Sequence, residues 1–538
     1  MKADLIIKGD AIFDCVGEEP FAGFVAIAGN RIVQVGRGGV PAGFDGVNTI
    51  DAGGRLVMPG FHDSHTHMVT AGMALSLESL AAGRSEEEVV RIAAEAERKD
   101  PKKDGWFFRA GWYEIFWENP TQPTKASLDR AFPERPVFLM CASGHSGWAN
   151  SAAIKACGIT RDTPDPKLGE IVRDENGDPT GLFRDHAMNP FMQRALTFDR
   201  AEEIAIIKAY MTDANSKGLT SVTDVMAYFH GDIGDIPVYS QIDRDGGFTM
   251  RVHAVPSLFN DLDEVLEWKK KYSSDKLTVT HVKEFLDGVT SSHTALMLRG
   301  YADEPGNKGA QTCDIEKIRA AVPEAHKRGI SVRLHAIGDR AVRTALDFYE
   351  DAYSKYGDTG VRHSVEHAEI VSPDDIKRFG ALKATPSVQP EHIAITERFE
   401  ENPYPALLGQ ELADTAFPFK SLLGETGVLA FGTDNPVVSN NPMLGIYRAK
   451  TRVFNNHKPD GGFAPDEKLS LPAALKMYTW GSAYNCFREH ELGTLRAGNF
   501  ADIVVLDRNL FTAADDEILE AAADLTLFDG KVVYEKKS

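Results

Sequence analysis

Apolar residues come in short runs near the two ends of the chain and in a longer alternating rhythm between them. Asp4-Leu-Ile-Ile-Lys8 and Phe24-Val-Ala-Ile-Ala28 are rich in β-branched residues, and Arg31-Ile-Val-Gln-Val-Gly36 alternates after a Gly29-Asn30 turn. The other end reads alike: Ala501-Asp-Ile-Val-Val-Leu-Asp507 is a strand, and Leu525 to Tyr534 is a hairpin turning at Asp529-Gly530. Neither β segment buries enough apolar surface to fold alone. The expectation is one composite β-sandwich from residues 1–56 and 490–538, with the middle of the chain inserted into it.

From residue 200 onward helical stretches alternate with apolar strands. The candidate strands are Gly218–Asp224, Met250–Ala254, Leu277–Lys283, Ile330–His335, His363–His367, Ala381–Thr385 and Gly427–Asp434, and Arg55–Phe61 makes the eighth. Between them, Ser372 with Pro373 signals a helix start, and Asp339 to about Tyr356 is amphipathic and stops at Gly357. Eight strands alternating with helices predict an α/β fold, a (β/α)8 TIM-like barrel over 57–489. An open doubly wound sheet is the alternative, but no Gly-x-Gly-x-x-Gly follows a first strand.

Residues from about 72 to 200 break this rhythm and read as an inserted α+β segment. Ser85-Glu-Glu-Glu88 is a capping box opening a helix that runs to about Lys99. An aromatic stretch follows, with Trp106, Phe107, Phe108, Trp112, Tyr113, Phe116 and Trp117. Aromatics of this density usually form core; the other reading is a substrate cleft lined by Trp112 and Trp117.

The 538 residues suffice for a large barrel with additions, and 43% hydrophobic with 26% charged residues is the balance of a soluble globular protein. No apolar run reaches the roughly 20 residues of a membrane span, and the apolar core of Met1–Lys8 is too short for a signal peptide. A net charge of −20 argues against nucleic acid and anionic membrane as partners. The five cysteines are scattered, without a Cys-x-x-Cys pair, so neither a disulfide framework nor a zinc ribbon is expected and a cytoplasmic setting is.

Candidate chemistry gathers at the C-terminal ends of the candidate strands. His65 and His67 are spaced one apart, which on a strand aims two imidazoles at one point. Lys283, His335, His367 and Asp434 end four other strands. In a barrel these ends converge on one mouth, where catalytic groups gather. Singly, each has an ordinary explanation, such as a hydrogen-bonded histidine or a helix-capping aspartate; together they point to a metal site. His363 and His367 share a strand face but lie about 13 Å apart, so only one reaches the site.

The stretches Pro59-Gly-Phe-His-Asp-Ser-His-Thr-His67, Gly144-His-Ser-Gly-Trp-Ala-Asn150, Lys283-Glu-Phe-Leu-Asp-Gly288, His335-Ala-Ile-Gly-Asp339, His363-Ser-Val-Glu-His-Ala368 and Phe431-Gly-Thr-Asp434 resemble the amidohydrolase superfamily, in particular its amidohydrolase-3 or YtcJ-like branch, which includes N-substituted formamide deformylase. Leu492 to Asp502 fits the same pattern. The resemblance implies that His65 and His67 hold a more buried metal and that His335 and His367 hold a second. It implies a carbamate, formed from carbon dioxide on Lys283, bridging the two, and Asp434 as base and then proton donor. It favours His367 over His363, and it makes His145 a candidate substrate contact. Asp185 departs from the glutamate expected of the branch.

The activity so implied is hydrolysis of a carbon–nitrogen, amide-type bond of a small molecule by metal-activated water. Ligand type makes zinc the first choice among divalent metals, one or two per chain, without excluding manganese, iron or cobalt. The alternatives are ester or lactone hydrolysis, deamination or decarboxylation at the same site, and a non-catalytic binding module. A homodimer is the default assembly.

Overall fold

The computed structural model describes residues 3–44, 46–99, 105–114, 117–119, 121–142, 144, 146–167, 169–228, 231–311 and 313–537. They divide into two compact units, Met1–Ala71 with Ile207–Ser538, and Gly72–Ile206.

In the first unit, strands from both ends of the chain share one sheet. Its hydrogen-bonded order is Lys531–Glu535, Ala523–Phe528, Ile503–Leu506, Leu56–Pro59, Leu5–Ile12, Phe21–Ala28, Arg31–Arg37, with Asn48–Asp51 also pairing Leu5–Ile12. The start of the last strand returns to the lead-in of strand Ile503–Leu506: Ile32 N–H donates to Asn499 O at 2.9 Å and Ala501 N–H to Asn30 O at 2.9 Å. The sheet therefore rolls toward itself around Ile7, Val25, Ile27, Val57, Val505 and Leu527, all buried. Removing such side chains from water is the main favourable term, about 1.5–3 kcal/mol for each large one. The hairpin turn at Asp529-Gly530 has φ of 55° and 75°, as the twist of the flanking strands requires.

The rest of this unit carries two parallel sheets flanked by helices. One has the order Leu277–Val279, Arg251–Val255, Leu219–Val225, Phe61–Thr66; the other runs His281–Phe285, Ser331–Ala336, Ser364–His367, Thr385–Val388, Ala430–Phe431. Parallel bridges Ser257↔Lys283 and Thr66↔Asn435 stand outside these ladders.

Three expected strands fall differently. The apolar run Arg55–Phe61 is not one strand: Leu56–Pro59 pairs with the terminal strands and Phe61–Thr66 with Leu219–Val225. The change of partner falls at Gly60, where a Cβ would lie 2.3 Å from the Thr220 hydroxyl. Leu277–Lys283 divides at Thr280 between the two parallel sheets. Residues 381–385 are mostly the end of helix Pro373–Ala381 and its turn, and the strand is Thr385–Val388. Helix Asp339–Tyr356 has the predicted bounds, with Gly357 after it at φ 70°.

The second unit holds a five-stranded sheet in the order Gly169–Arg173, Pro179–Asp185, Ser146–Ala149, Val137–Cys141, Phe107–Trp112. Helix Glu86–Lys99 is capped by Ser85 Oγ, which accepts from Glu88 N–H at 3.1 Å, while Glu88 Oε2 accepts from Arg84 N–H at 2.8 Å. Trp112 and Trp117 lie in the hydrophobic core of this unit with Leu80, Val89 and Leu128. Trp112 is 0% exposed and its indole N–H donates to Leu139 O at 2.9 Å. This corrects the cleft reading: both side chains are spent on packing. Phe116 of the same stretch, and His145, lie outside the described residues. Among the described residues, no helix is long and apolar enough to cross a membrane.

Candidate metal centre

Strand Phe61–Thr66 ends in the His-x-His pair, and the segment after strand Ala430–Phe431 is laid directly against it. Gly432 permits this approach: a Cβ there would stand 2.6 Å from His65 N. Asp63 fastens the two segments, accepting from Thr433 N–H at 3.0 Å, Thr433 Oγ1–H at 2.5 Å and His65 N–H at 3.1 Å. Asp434 thereby brings Oδ1 to 3.3 Å from His65 Nε2 and 3.0 Å from His67 Nε2.

The far nitrogens of both rings are already engaged. His65 Nδ1 lies 2.6 Å from Glu366 Oε2, and His67 Nδ1 lies 2.7 Å from Val225 O. Each Nδ1 therefore carries the proton, and in the neutral rings both Nε2 lone pairs face a carboxylate oxygen. Such an arrangement needs a proton or a cation at its centre, and a carboxylate or carbonyl behind each imidazole is the usual support of a metal-binding histidine. Burial alone disfavours charge on His65, but Asp434 and Glu366 draw its pKa above the ordinary value. Burial likewise opposes ionisation of Asp434, yet His65 and His67 hold its carboxyl well below the usual range. The donor set fits a divalent metal.

His367 completes a group with His65 and Asp434 whose ligand atoms all lie within 4.8 Å of one another. It ends strand Ser364–His367 with φ 72°, followed by Ala368 at φ 46°, and Asp434 itself has φ 60°. Three non-glycine residues thus adopt this unfavourable region at one place, a backbone cost that the surrounding packing must sustain. His335 lies beside His367, ring centroids 4.3 Å apart, with Nε2 3.2 Å from Gly288 O and 3.5 Å from Asp287 Oδ1. Burial, then the Lys283 charge, lowers the His335 pKa to about 3, so the ring is neutral.

Lys283 stands on strand His281–Phe285, 0% exposed, with no hydrogen-bond partner for Nζ among the described residues and the Phe285 ring 4.2 Å away. Burial pulls its pKa down to about 8 against the attraction of Glu366 and Asp434. A buried amine without a partner is an expensive feature for a fold to keep unless it is modified or ligated.

All six residues singled out in the sequence thus come together here, and His363 does not. Its Nδ1 accepts from Val332 N–H at 3.1 Å and its Nε2 meets His326 Nδ1 at 2.9 Å, so it is a structural link between strands and a helix. His62 also lies apart, stacked on His253 at 5.0 Å and grouped with Cys486. Arg333 approaches that thiol at 3.8 Å, which makes the cluster a poor host for a cation.

Sequence reasoning missed the residues behind the ligands. Glu366, fully buried, holds His65 on one oxygen while Arg333 stands 3.4 Å from the other. Asp287 accepts from the N–H groups of Leu296, Ile337 and Gly338 at 2.9–3.1 Å and so joins the loops after Lys283 and His335. Glu369 holds His392. The available signal was the recurrence of acidic residues inside buried strand ends, as in Ser364-Val-Glu-His367.

Residues 48–534 match the profile of the amidohydrolase family, and the chain belongs to that family and is an enzyme of it. It is 32% identical to Protein LONG AFTER FAR-RED 3 of Arabidopsis thaliana, over 99% of this chain and 92% of that one. The putative amidohydrolase YtcJ of Bacillus subtilis is 31% identical, with 90% of each chain covered. The N-substituted formamide deformylase of Arthrobacter pascens is 28% identical, with 95% of each covered. Among solved structures, an uncharacterized metal-dependent hydrolase from Pyrococcus furiosus superposes with a TM-score of 0.75 at 27% identity, covering 94% of this chain and 99% of that one.

Proposed function

We propose that this enzyme hydrolyses a carbon–nitrogen, amide-type bond of a small molecule with the aid of a divalent metal, zinc being the first choice. The observation that carries this is the meeting of His65 Nε2, His67 Nε2 and Asp434 Oδ1 within 3.0–3.3 Å, with His367 adjoining. The likeness to a formamide deformylase supports the bond type. His65, His67, His335, His367 and Asp434 would hold the metal, with Lys283 as its carbamate. When bound, the metal supplies Lewis acidity, lowering the pKa of water to about 7 and polarising a carbonyl.

The chain's own groups do the rest. Asp434 is the one carboxylate in the cluster of ligands, and it accepts the proton of the attacking water and returns it to the leaving nitrogen. Glu366 and the Val225 carbonyl keep the two histidines in the tautomer whose Nε2 lone pair faces Asp434. Lys283, unprotonated above about pH 8, offers its lone pair to carbon dioxide and sheds a proton, becoming an anionic oxygen donor where an ammonium could not serve. In this reading the two parallel sheets close into an eight-position barrel through the bridges Thr66↔Asn435 and Ser257↔Lys283, which set Asp434 and Lys283 at its seams.

The test is metal content of protein purified without chelator, with turnover of N-formyl amines and matched esters. One or two metals per chain and amide turnover are expected. Lys283→Ala should lower metal content, and Asp434→Ala should lower kcat by at least 10²-fold, the scale of positioned proton transfer. Hydrolysis of the esters alone, or metal uptake indifferent to Lys283→Ala, would refute the bond type or the carbamate respectively.

A further inference from the structure

We infer that His392, which follows strand Thr385–Val388, is a further nitrogen ligand of the metal centre, shared with His367 and aligned by Glu369 and Tyr404. This rests on the metal-dependent reading above and adds a donor to it.

His392 sits in the short 3-10 helix Pro390–Ala394 and is buried. Its Nδ1 lies 3.0 Å from Glu369 Oε1, and the other oxygen of Glu369 accepts the Tyr404 hydroxyl. With Nδ1–H given to a carboxylate, Nε2 of the neutral ring carries the lone pair, and that atom is buried without a hydrogen-bond partner among the described residues. This is the relation His65 has to Glu366 at the centre already described, and a carboxylate behind an imidazole is how proteins aim a histidine at a metal. His392 stacks beside His367, centroids 5.8 Å apart and planes within 11°, and His367, Glu369 and His392 offer ligand atoms within 4.8 Å of one another. His367 Nδ1 is also without a hydrogen-bond partner among the described residues.

His335, the other neighbour of His367, turns Nε2 to Gly288 O and keeps its Nδ1 lone pair, so His392 is an additional imidazole donor beside His367 and not a replacement for His335. Leaving the His392 lone pair unsatisfied in the interior costs free energy that a bound cation recovers. Glu369 therefore earns its place as a positioning residue and His392 as a ligand, on an element that sequence spacing alone does not connect to the His-x-His motif.

The experiment is titration of metal-free enzyme with cobalt(II), read by visible absorption and by competition with a chelator of known affinity. Relative to the parent, His392→Ala is expected to weaken binding of at least one ion by 10-fold or more and to alter the cobalt spectrum. Glu369→Gln, which keeps the shape, should weaken it within the 10–100-fold typical of groups behind a ligand. Melting of the metal-free proteins checks that each variant folds, and if His392→Ala does not, Glu369→Gln decides. Parent-like affinity and spectrum in the folded variants, with His367→Ala clearly altered, would overturn the inference while leaving the metal centre standing. Cobalt uptake by no form, the parent included, would overturn both.

Discussion

Gly432 and His363 show how single residues decide what the site can be. A methyl group at 432 would press on the backbone of His65, so Gly432→Ala must push Asp434 away from the histidines. Catalytic groups displaced by about 1 Å can lose 10²-fold, and that loss in kcat/KM is expected here, with thermal stability changed far less. His363 is locked neutral between Val332 N–H and His326, and burial lowers its pKa to about 3 from the usual 6.5. Between those values the unfolded chain binds a proton that the folded one refuses. Stability contributed by this group is therefore full above pH 6.5 and falls as pH drops toward 3, by at most about 1.4 kcal/mol per pH unit. Urea midpoints measured at pH 7, 6 and 5 should decline, and decline less in His363→Asn.

At the scale of elements, a buried cation lies at the seam between the parallel sheets and the rolled terminal sheet. Arg251, 0% exposed, lies on strand Arg251–Val255 and donates to Asp502 through Nε at 2.6 Å and Nη2 at 2.9 Å, to Asp529 at 3.2 Å, and stacks on Phe500 at 3.6 Å. Removing one partner of such a buried pair leaves the charge uncompensated and costs about 3–5 kcal/mol. Asp502→Ala is expected near the lower figure, since Asp529 remains, and denaturant unfolding measures it. Periodicity made most of these elements legible: helix Asp339–Tyr356 has an apolar stripe, a helix-stopping glycine and no competing signal. It failed where partner choice matters. The run Arg55–Phe61 is apolar throughout because it is buried throughout, and nothing in its pattern says that it changes sheets at Gly60. The residues that meet at the candidate site were legible because two sit one residue apart and the others lie on or just after candidate strands. Glu366, Glu369 and His392 were not, because a residue that supports a ligand is defined by a contact between distant segments. Trp112 and Trp117 show the converse, a suggestive run that only packing could assign.

For the molecule as a whole, the proposed ligand set, drawn from five separate segments, would make the metal a cross-link of the fold. A ligand held only by the native state stabilises by about 2.7 kcal/mol at a concentration 100 times its Kd. Chelation should accordingly lower the melting temperature of the parent, and the shift should shrink in Asp434→Ala, as calorimetry with and without chelator would show.

The rolled sheet also sets a timetable. Strand Leu56–Pro59 pairs on one side with Leu5–Ile12 and on the other with Ile503–Leu506. A ribosome adding about 5–20 residues per second reaches the second partner roughly 25–100 s after it has made the first. Throughout that interval the nascent chain presents a hydrophobic strand with one side unpaired, an open invitation to neighbouring chains. The yield of this enzyme is therefore expected to respond to elongation speed and chaperone supply as well as to the stability of the finished fold.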